Sequence, residues 1–415
     1  MTITALPSGG GPIPVPAVPI GLPTLVKLAF DGSNLEPLWQ TLLERALENP
    51  DDAAALMDLS TIAHIRGQRH ERLVLQTHAI EAQRLYRQLP ARDAANGLRL
   101  LALMVPGDFL ANTPVEFLLE GSDVTLDIVY VIPGLPLPDP LPQHDVVLVA
   151  ATELEDNRAA LREIATLTAS WPRPVLNSPD RIARLTREGT WALLNAVPGV
   201  AFPVNARIDR VALTRIAAGD ACADSILGSS GFPILARPVD SHAGEGLAKL
   251  DDRTQIAAYL QERAEQNFIV APFVDYRSRD GLFRKYRIAL IAGRPYACHM
   301  GISEHWMIHY LNAGMTENAW KRAEEARFMA EFDHDFAVRH GIALGAIAQR
   351  IGLDYVTLDC GETADGKLLV FEAGNGMIVH AMDPPDLFAY KRPQMAKVFA
   401  AFTAMLRDAC GGQDR

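Results

Sequence analysis

The stretch running from Asp359 through Cys360-Gly361-Glu362-Thr363-Ala364-Asp365-Gly366 to Phe371-Glu372-Ala373-Gly374-Asn375 sets two carboxylates and an amide at the ends of two apolar runs. Val356 to Leu358 and Leu368 to Phe371 read as strands, with Thr363 to Gly366 as the polar turn of a hairpin of the Asp-Gly kind. Asp359 and Glu372 then stand side by side. Hard cations such as Mg²⁺ take oxygen ligands, commonly one or two carboxylates plus the phosphates of a nucleotide, so the pair suits a Mg²⁺·ATP site. The same residues also suit a solvated hairpin whose acids face water.

Three further groups carry chemistry. In Pro233-Ile234-Leu235-Ala236-Arg237 an apolar strand ends in a cation, and Ser241-His242-Ala243-Gly244-Glu245-Gly246 follows as a glycine loop. Glycine tolerates positive φ and lets backbone N–H groups approach phosphate oxygens, and Arg237 can grip a phosphate with two N–H groups; a plain hairpin loop with an arginine at its rim is the other reading. Lys285 and Arg287 lie two apart on a strand and share one face, which calls for an anion, either a substrate or a structural partner such as Asp275 or Glu304. His299, His305 and His309 cluster within eleven residues. His305 and His309 have the i, i+4 spacing of a helical metal pair, but no third ligand accompanies them, so substrate-orienting or structural roles fit better.

These residues need a scaffold. Residues 1 to about 24 form a Pro/Gly-rich arm, expected to be extended or disordered. Leu35, Leu38, Leu42, Leu43 and Ala46 recur at helical spacing; a second helix follows from Asp51 to Gly67 and a third from His70 to Leu89. Leu98 to Val105, Val124 to Ile132, Val146 to Ala150 and Pro174 to Asn177 read as buried strands, with a helix from Asn157 to Ser170, which indicates an α/β layer around a largely parallel sheet. After a helix from Asp180 to Ala196, the remainder is α+β: strands at Phe232 to Ala236, Phe268 to Val274, Tyr286 to Ile291 and Arg294 to His299, helices at Glu317 to His340 and Ala343 to Ile351, the carboxylate hairpin, and a last helix from Pro393 to Ala409.

The 415 residues are 49% hydrophobic and 21% charged, enough for two or three globular domains, and the net charge of −11 argues against a general nucleic-acid or membrane-surface binder. The four cysteines are far apart and show no Cys-x-x-Cys spacing, which fits reduced thiols in a cytoplasmic protein. The apolar residues of the first 22 positions are broken by Gly9-Gly10-Gly11 and by prolines, and no Lys or Arg precedes them, unlike a signal peptide or a membrane span.

Taken in order, these pieces resemble the ATP-grasp superfamily and, within it, the RimK-like carboxylate–amine ligases, over residues 98 to 410; the helices before them resemble a tetratricopeptide-like unit. The resemblance implies an α/β and α+β chain with an arm at 1–24, a helical module at 25–96, a small α/β domain at 97–178 and an ATP-grasp domain of two subdomains at 179–415. It implies that Arg187 and Arg237 contact ATP phosphates, where lysines are usual, beneath a lid of Ser241, His242, Ala243, Gly244 and Gly246. Ala271, Phe273 and Val274 would hold adenine at the hinge, with Asp275 near the ribose. Arg287, with Lys285 beside it, would lie at the transferred phosphate, and Asp359 and Glu372 would bind Mg²⁺. The family's next metal ligand is an Asn two residues after the Glu; Gly374 holds that position and Asn375 follows it. The implied reaction is ATP-dependent joining of a small-molecule or peptide carboxylate to an amine through an acylphosphate. A nucleotide-binding scaffold of the same fold and a small-molecule kinase are alternatives, and a homodimer or a protein contact through the helical module are compatible with it; neither nucleic acid nor membrane is an expected partner.

Overall fold

A computed structural model of the chain describes residues 15–90, 97–228, 231–239, 241, 244–310 and 313–411. The described residues are mixed α/β and α+β, built on three sheets. The first contains β1 (Leu85–Gln88), β2 (Arg99–Met104), β3 (Thr125–Tyr130), β4 (Val146–Val149) and β5 (Val175–Leu176) in the order β1-β3-β2-β4-β5. β2 through β5 are parallel and β1 runs antiparallel on β3. Burial explains their continuous apolar sequences, since helices cover both faces of a parallel sheet; all four residues of β4 are buried.

The third sheet is mostly antiparallel: β6 (Val200–Ala201), β11 (Phe283–Ile291), β12 (Arg294–Ser303), β13 (Tyr355–Glu362) and β14 (Leu368–Gly374) lie in the order β12-β11-β13-β14-β6. It shares one hydrophobic core with the first sheet, and the helix Lys391–Gly411 packs on β12, β11 and β4, so the two sheets form one body. The second sheet has a core of its own. Its strands β7 (Ala206–Asp209), β8 (Ile234–Pro238), β9 (Ala248–Leu250) and β10 (Asn267–Pro272) lie in the order β7-β10-β8-β9, backed by the helices Arg210–Ala218 and Arg253–Gln261. Among the described residues, no helix is long and apolar enough to cross a membrane.

The helical segment contains Leu22–Phe30, Glu36–Glu48, Ala53–Ile65 and Arg69–Ala82. Four expectations change, in this segment and in the helices further along. The arm does not stay extended to residue 24: Asp58 accepts the Ile20 and Gly21 N–H groups (2.8 and 3.1 Å), and a helix starts at Leu22. The third helix stops at Ala82, and Leu85–Gln88 becomes the edge strand β1, anchored by Arg87 on Asp127 with two hydrogen bonds (2.7 and 2.9 Å). The helix expected from Asp180 to Ala196 is two, Pro179–Ile182 and Arg187–Leu194, because Thr186 takes an extended backbone and caps the second by accepting the Gly189 N–H (3.1 Å). Likewise Glu317 to His340 resolves into Ala319–Glu331 and Phe336–Arg339.

Candidate active site

One row of facing residues crosses the third sheet. His299 on β12 pairs with Arg287 on β11, Arg287 with Asp359 on β13, and Asp359 with Glu372 on β14. Register shifts occur beside the row, between Arg287 and Ile288 and between Asp359 and Cys360. Such bulges re-aim side chains. Lys285, two residues before Arg287, joins it on the same face.

Asp359 is 2% exposed. Arg287 grips it with two hydrogen bonds (2.8 and 2.9 Å) and Lys285 Nζ lies 2.6 Å from Oδ2. Burial alone would raise the Asp359 pKa, but Arg287 and Lys285 hold it far below the carboxylate range. Burial opposes charge on Arg287 as well, and Asp359 reverses that, leaving its pKa raised. A third hydrogen bond from Arg287 reaches the Ile378 carbonyl (3.0 Å) and fixes the guanidinium plane. Glu372 is ion-paired to Arg187 from the helix Arg187–Leu194. Burial raises its pKa, Arg187 together with Arg237 and Lys285 outweighs that, and it settles at about 2.

Arg237 is the penultimate residue of β8 and is 9% exposed. Its Nε donates to Ser241 Oγ (2.9 Å) and its Nη2 to the Ser241 carbonyl, so in this arrangement it holds the start of the glycine loop. Burial and then the nearby Arg187 push it down to about 9, while Glu372 pulls the other way; the second sheet thus places a cation beside the third sheet's carboxylates. Gly244 and Gly246 have positive φ; a Cβ on Gly246 would lie 2.6 Å from Pro238 Cδ, so this turn demands glycine. Gly244 reaches Met307 across the site. His242 and Ala243 lie outside the described residues.

At the hinge, Ala271 pairs with Leu235 and the Phe273 N–H donates to the Pro233 carbonyl (3.0 Å). Lys249 Nζ sits 4.9 Å from the Phe273 ring centre, and Val274 packs in a small cluster with Tyr276 and Phe283. Asp275 is on the surface, ion-paired to Arg277. His305 and His309 do not share a helical face, because residues 304–309 are irregular; His305 is exposed. Among the described residues no group of three His, Cys, Asp or Glu side chains forms a ready metal cluster.

Asn375 is fully buried at the seam with the first sheet. Its Nδ2 donates to the Ala151 carbonyl (3.0 Å) and to Thr113 Oγ1 (3.1 Å), which sets the amide orientation from the hydrogen-bond pattern. Its Oδ1 is thereby left buried with no hydrogen-bond partner among the described residues. An orphaned amide oxygen three residues after Glu372 fits a hard cation. The donor set as a whole suits Mg²⁺ that arrives on phosphate rather than a bare ion, because Arg187, Arg237, Lys285 and Arg287 outnumber the two carboxylates.

Several contributors were not visible in the sequence. Glu153, which follows β4, brings its carboxylate oxygens to 3.7 and 3.9 Å from where a Cβ on Gly374 would stand. Lys391, at the start of the last helix, is 4% exposed; it bonds Asp383 (3.0 Å) and Tyr310, and lies 3.4 Å from the buried Glu325. Beside Lys391 and Arg287 are His299, whose Nδ1 is buried with no hydrogen-bond partner among the described residues, and His380, which accepts the Met382 N–H (3.1 Å). Burial, and then the surrounding cations, lower the pKa of His299 and His309; burial takes His380 down to about 4. The imidazoles are neutral at pH 7, and the positive charge here belongs to Lys285, Arg287 and Lys391. No local motif marks Glu153, Glu325 or Lys391, which join the site only through the fold, whereas His299 and His309 belong to the histidine cluster read from the sequence.

No family model matches the chain. Among solved structures, it is similar to a RimK domain ATP-grasp protein from Sphaerobacter thermophilus at 17% identity and a TM-score of 0.40, covering 74% of this chain and 99% of that one. It is also similar to the VanG D-Ala:D-Ser ligase of Enterococcus faecalis (11% identity, TM-score 0.46, 74% and 100% covered). A third is the D-alanine–D-alanine ligase of Coxiella burnetii (12% identity, TM-score 0.46, 77% and 97% covered).

Proposed function

We propose that the chain is an ATP-grasp enzyme that uses Mg²⁺·ATP to join a carboxylate to an amine, releasing ADP and phosphate. The observation that carries this reading is the row Arg287–Asp359–Glu372 across three adjacent strands, flanked by Lys285, Arg187 and Arg237 and facing the glycine loop. Phosphoryl transfer leaves little covalent chemistry for a protein to perform; positioning and charge neutralisation dominate. Four cations gathered around two carboxylates supply both.

In this reading the substrate carboxylate attacks the γ-phosphate, ADP leaves, and the amine then displaces phosphate from the acylphosphate. Arg187 and Arg237 exchange their protein partners, Glu372 and Ser241, for phosphate oxygens. Arg287 stays anchored on Asp359 and presents its charge to the transferred phosphoryl group, with Lys285 beside it. Asp359, Glu372 and the Asn375 Oδ1 are the donors for Mg²⁺, which neutralises phosphate charge when bound. The lid is Ser241 to Gly246, and Ala271, Phe273, Val274 and Asp275 line the nucleoside side. Lys285, Lys391 and the neutral His299, His309 and His380 favour an anionic carboxylate substrate.

The test is ADP release by the purified protein across a panel of amino acids and small carboxylates, with mass spectrometry of any product. Release should need both a carboxylate and an amine. Glu372→Gln should abolish it while leaving the fold intact; near-normal ADP release by that variant would sink the metal assignment. The Asp359 oxygens are already shared by Arg287 and Lys285, which favours a second reading, a nucleotide-binding scaffold. That reading expects Mg²⁺·ATP binding without turnover on any substrate pair.

A further inference from the structure

A cavity of about 100 Å³ lies beside the helical segment, lined by both apolar and polar side chains. It is enclosed by the helices Ala53–Ile65 and Arg69–Ala82, by β1 and β3, and by the loop that follows β2. A single buried water needs only about 10–15 Å³ measured in this way, so the space accommodates a small organic molecule.

Its walls are acidic and aromatic. Asp58 is 2% exposed, and the donors that reach it are the backbone N–H groups of Ile20 and Gly21. Glu116 Oε2 is shut off from solvent and has no hydrogen-bond partner among the described residues. The neighbouring hydroxyls are committed elsewhere: Tyr86 donates to the Ala79 carbonyl (2.7 Å), and Tyr130 points at Met57 Sδ (3.9 Å). The cations do not neutralise the acids either. Arg72 spends a hydrogen bond on the Gly107 carbonyl (2.9 Å) and Arg87 is taken by Asp127. Burial accordingly pushes Glu116 up to about 7 and Asp58 up to about 6. Tyr86 and Tyr130 meet edge to face at 5.7 Å, which offers ring surface to a cation.

We propose that this cavity binds a small molecule bearing an ammonium group, with Glu116 as its carboxylate partner. An ammonium supplies the paired counter-charge that Glu116 and Asp58 lack among the described residues, and the aromatic walls suit its charge. A primary amine and an α-amino acid share this chemistry; an amino acid would also bring a carboxylate within the range of Arg72 and His64, both of which line the space. The cavity is one loop away from the candidate active site, since Thr113 lines it and also accepts from the Asn375 amide. The binding proposal does not depend on the ligase reading.

The experiment is calorimetric titration of the full chain, without nucleotide, with ethylamine, glycine and propionate at millimolar concentration. Ethylamine or glycine should bind and propionate should not. Binding of glycine alone identifies the amino-acid form, and binding of ethylamine identifies the simple amine. Glu116→Gln keeps the shape of the protonated acid, so it should melt like the wild type yet bind roughly tenfold or more weakly. A second measurement needs no variant. The titratable and charged groups that line the cavity with Glu116 are Asp58, His64, Arg72, Tyr86, Arg87, Asp108 and Tyr130, and near neutral pH the bound ammonium should draw a proton off Glu116. Heats in two buffers of different ionisation enthalpy should therefore report proton release. Failure of both ammonium probes to bind, equal binding of propionate, unchanged binding by Glu116→Gln, or binding without proton release would overturn the proposal.

Discussion

The third-sheet row and the helical-segment cavity both bury carboxyl groups, and they handle the charge in opposite ways. Asp359 and Glu372 are kept ionised by Arg287, Lys285 and Arg187, whose attraction exceeds the desolvation penalty. Among the described residues no cation is paired with Asp58 or Glu116; Arg45 acts on Asp58 only weakly, and burial prevails. The same side-chain chemistry therefore gives a permanently charged electrostatic platform in one region and groups that titrate near neutrality in the other. Burial does not decide the state of a carboxyl; the partner does.

The sharpest way to break this comparison is to make the same change, acid to amide, in both places. Asp359→Asn leaves Arg287 and Lys285 buried without a counter-charge, and losing one partner of such a pair typically costs about 3–5 kcal/mol. The apparent melting temperature should fall by several degrees and ADP release should vanish. Glu116→Gln should leave melting unchanged or raise it at pH 8, because the amide replaces an acid that is costly to ionise there. Differential scanning calorimetry of the two variants at one pH decides the matter. Equal losses would mean that the two regions do not differ as argued.

Arg287→Lys is the next step down. It keeps the charge but loses the planar fork that spans both Asp359 oxygens and the Ile378 carbonyl. A misplaced charge at a transferred phosphate should lower kcat by roughly a hundredfold, with a much smaller effect on melting than Asp359→Asn. Steady-state ADP release and a melting curve test both halves; full turnover by the lysine variant would remove Arg287 from the reaction.

Much of the scaffold was legible because its signals are local. The runs Leu98 to Val105 and Val146 to Ala150 are apolar without interruption, as strands covered on both faces must be, and β2 and β4 lie within them. The Asp-Gly turn between β13 and β14 was likewise written in four residues, and with it the pairing of Asp359 and Glu372. What could not be read depends on distant partners. Leu85–Gln88 continues a helical pattern and becomes a strand because β3 offers it an edge and Asp127 a salt bridge. The Asn375 amide orientation is set by Thr113 and Ala151, more than two hundred residues earlier in the chain. Lys391 opens a helix with a basic Lys-Arg-Pro sequence that suggests solvent, and its burial follows from Glu325, Asp383 and Tyr310 converging on it.

The smallest expected effect is the pH dependence of stability, where the signs of the two regions oppose. For Glu372 and Asp359 the folded pKa is depressed, so their contribution is complete above the unfolded carboxylate range near pH 4 and is lost only as pH falls through about 2 and below. Between pH 5 and 8 the row contributes no slope. For Asp58 and Glu116 the folded pKa is raised, so their contribution is complete below about pH 4 and is lost as pH rises through about 6 and about 7. Melting temperature should therefore decline modestly from pH 5 to 8, and Glu116→Gln should flatten part of that decline while Glu372→Gln leaves it unchanged. A saturating ammonium ligand should flatten it as well, because it supplies in the cavity what Arg287 and Lys285 supply on the sheet. Melting curves of the three proteins across this range test the comparison directly, and a decline that persists undiminished in Glu116→Gln would remove that carboxyl as its source.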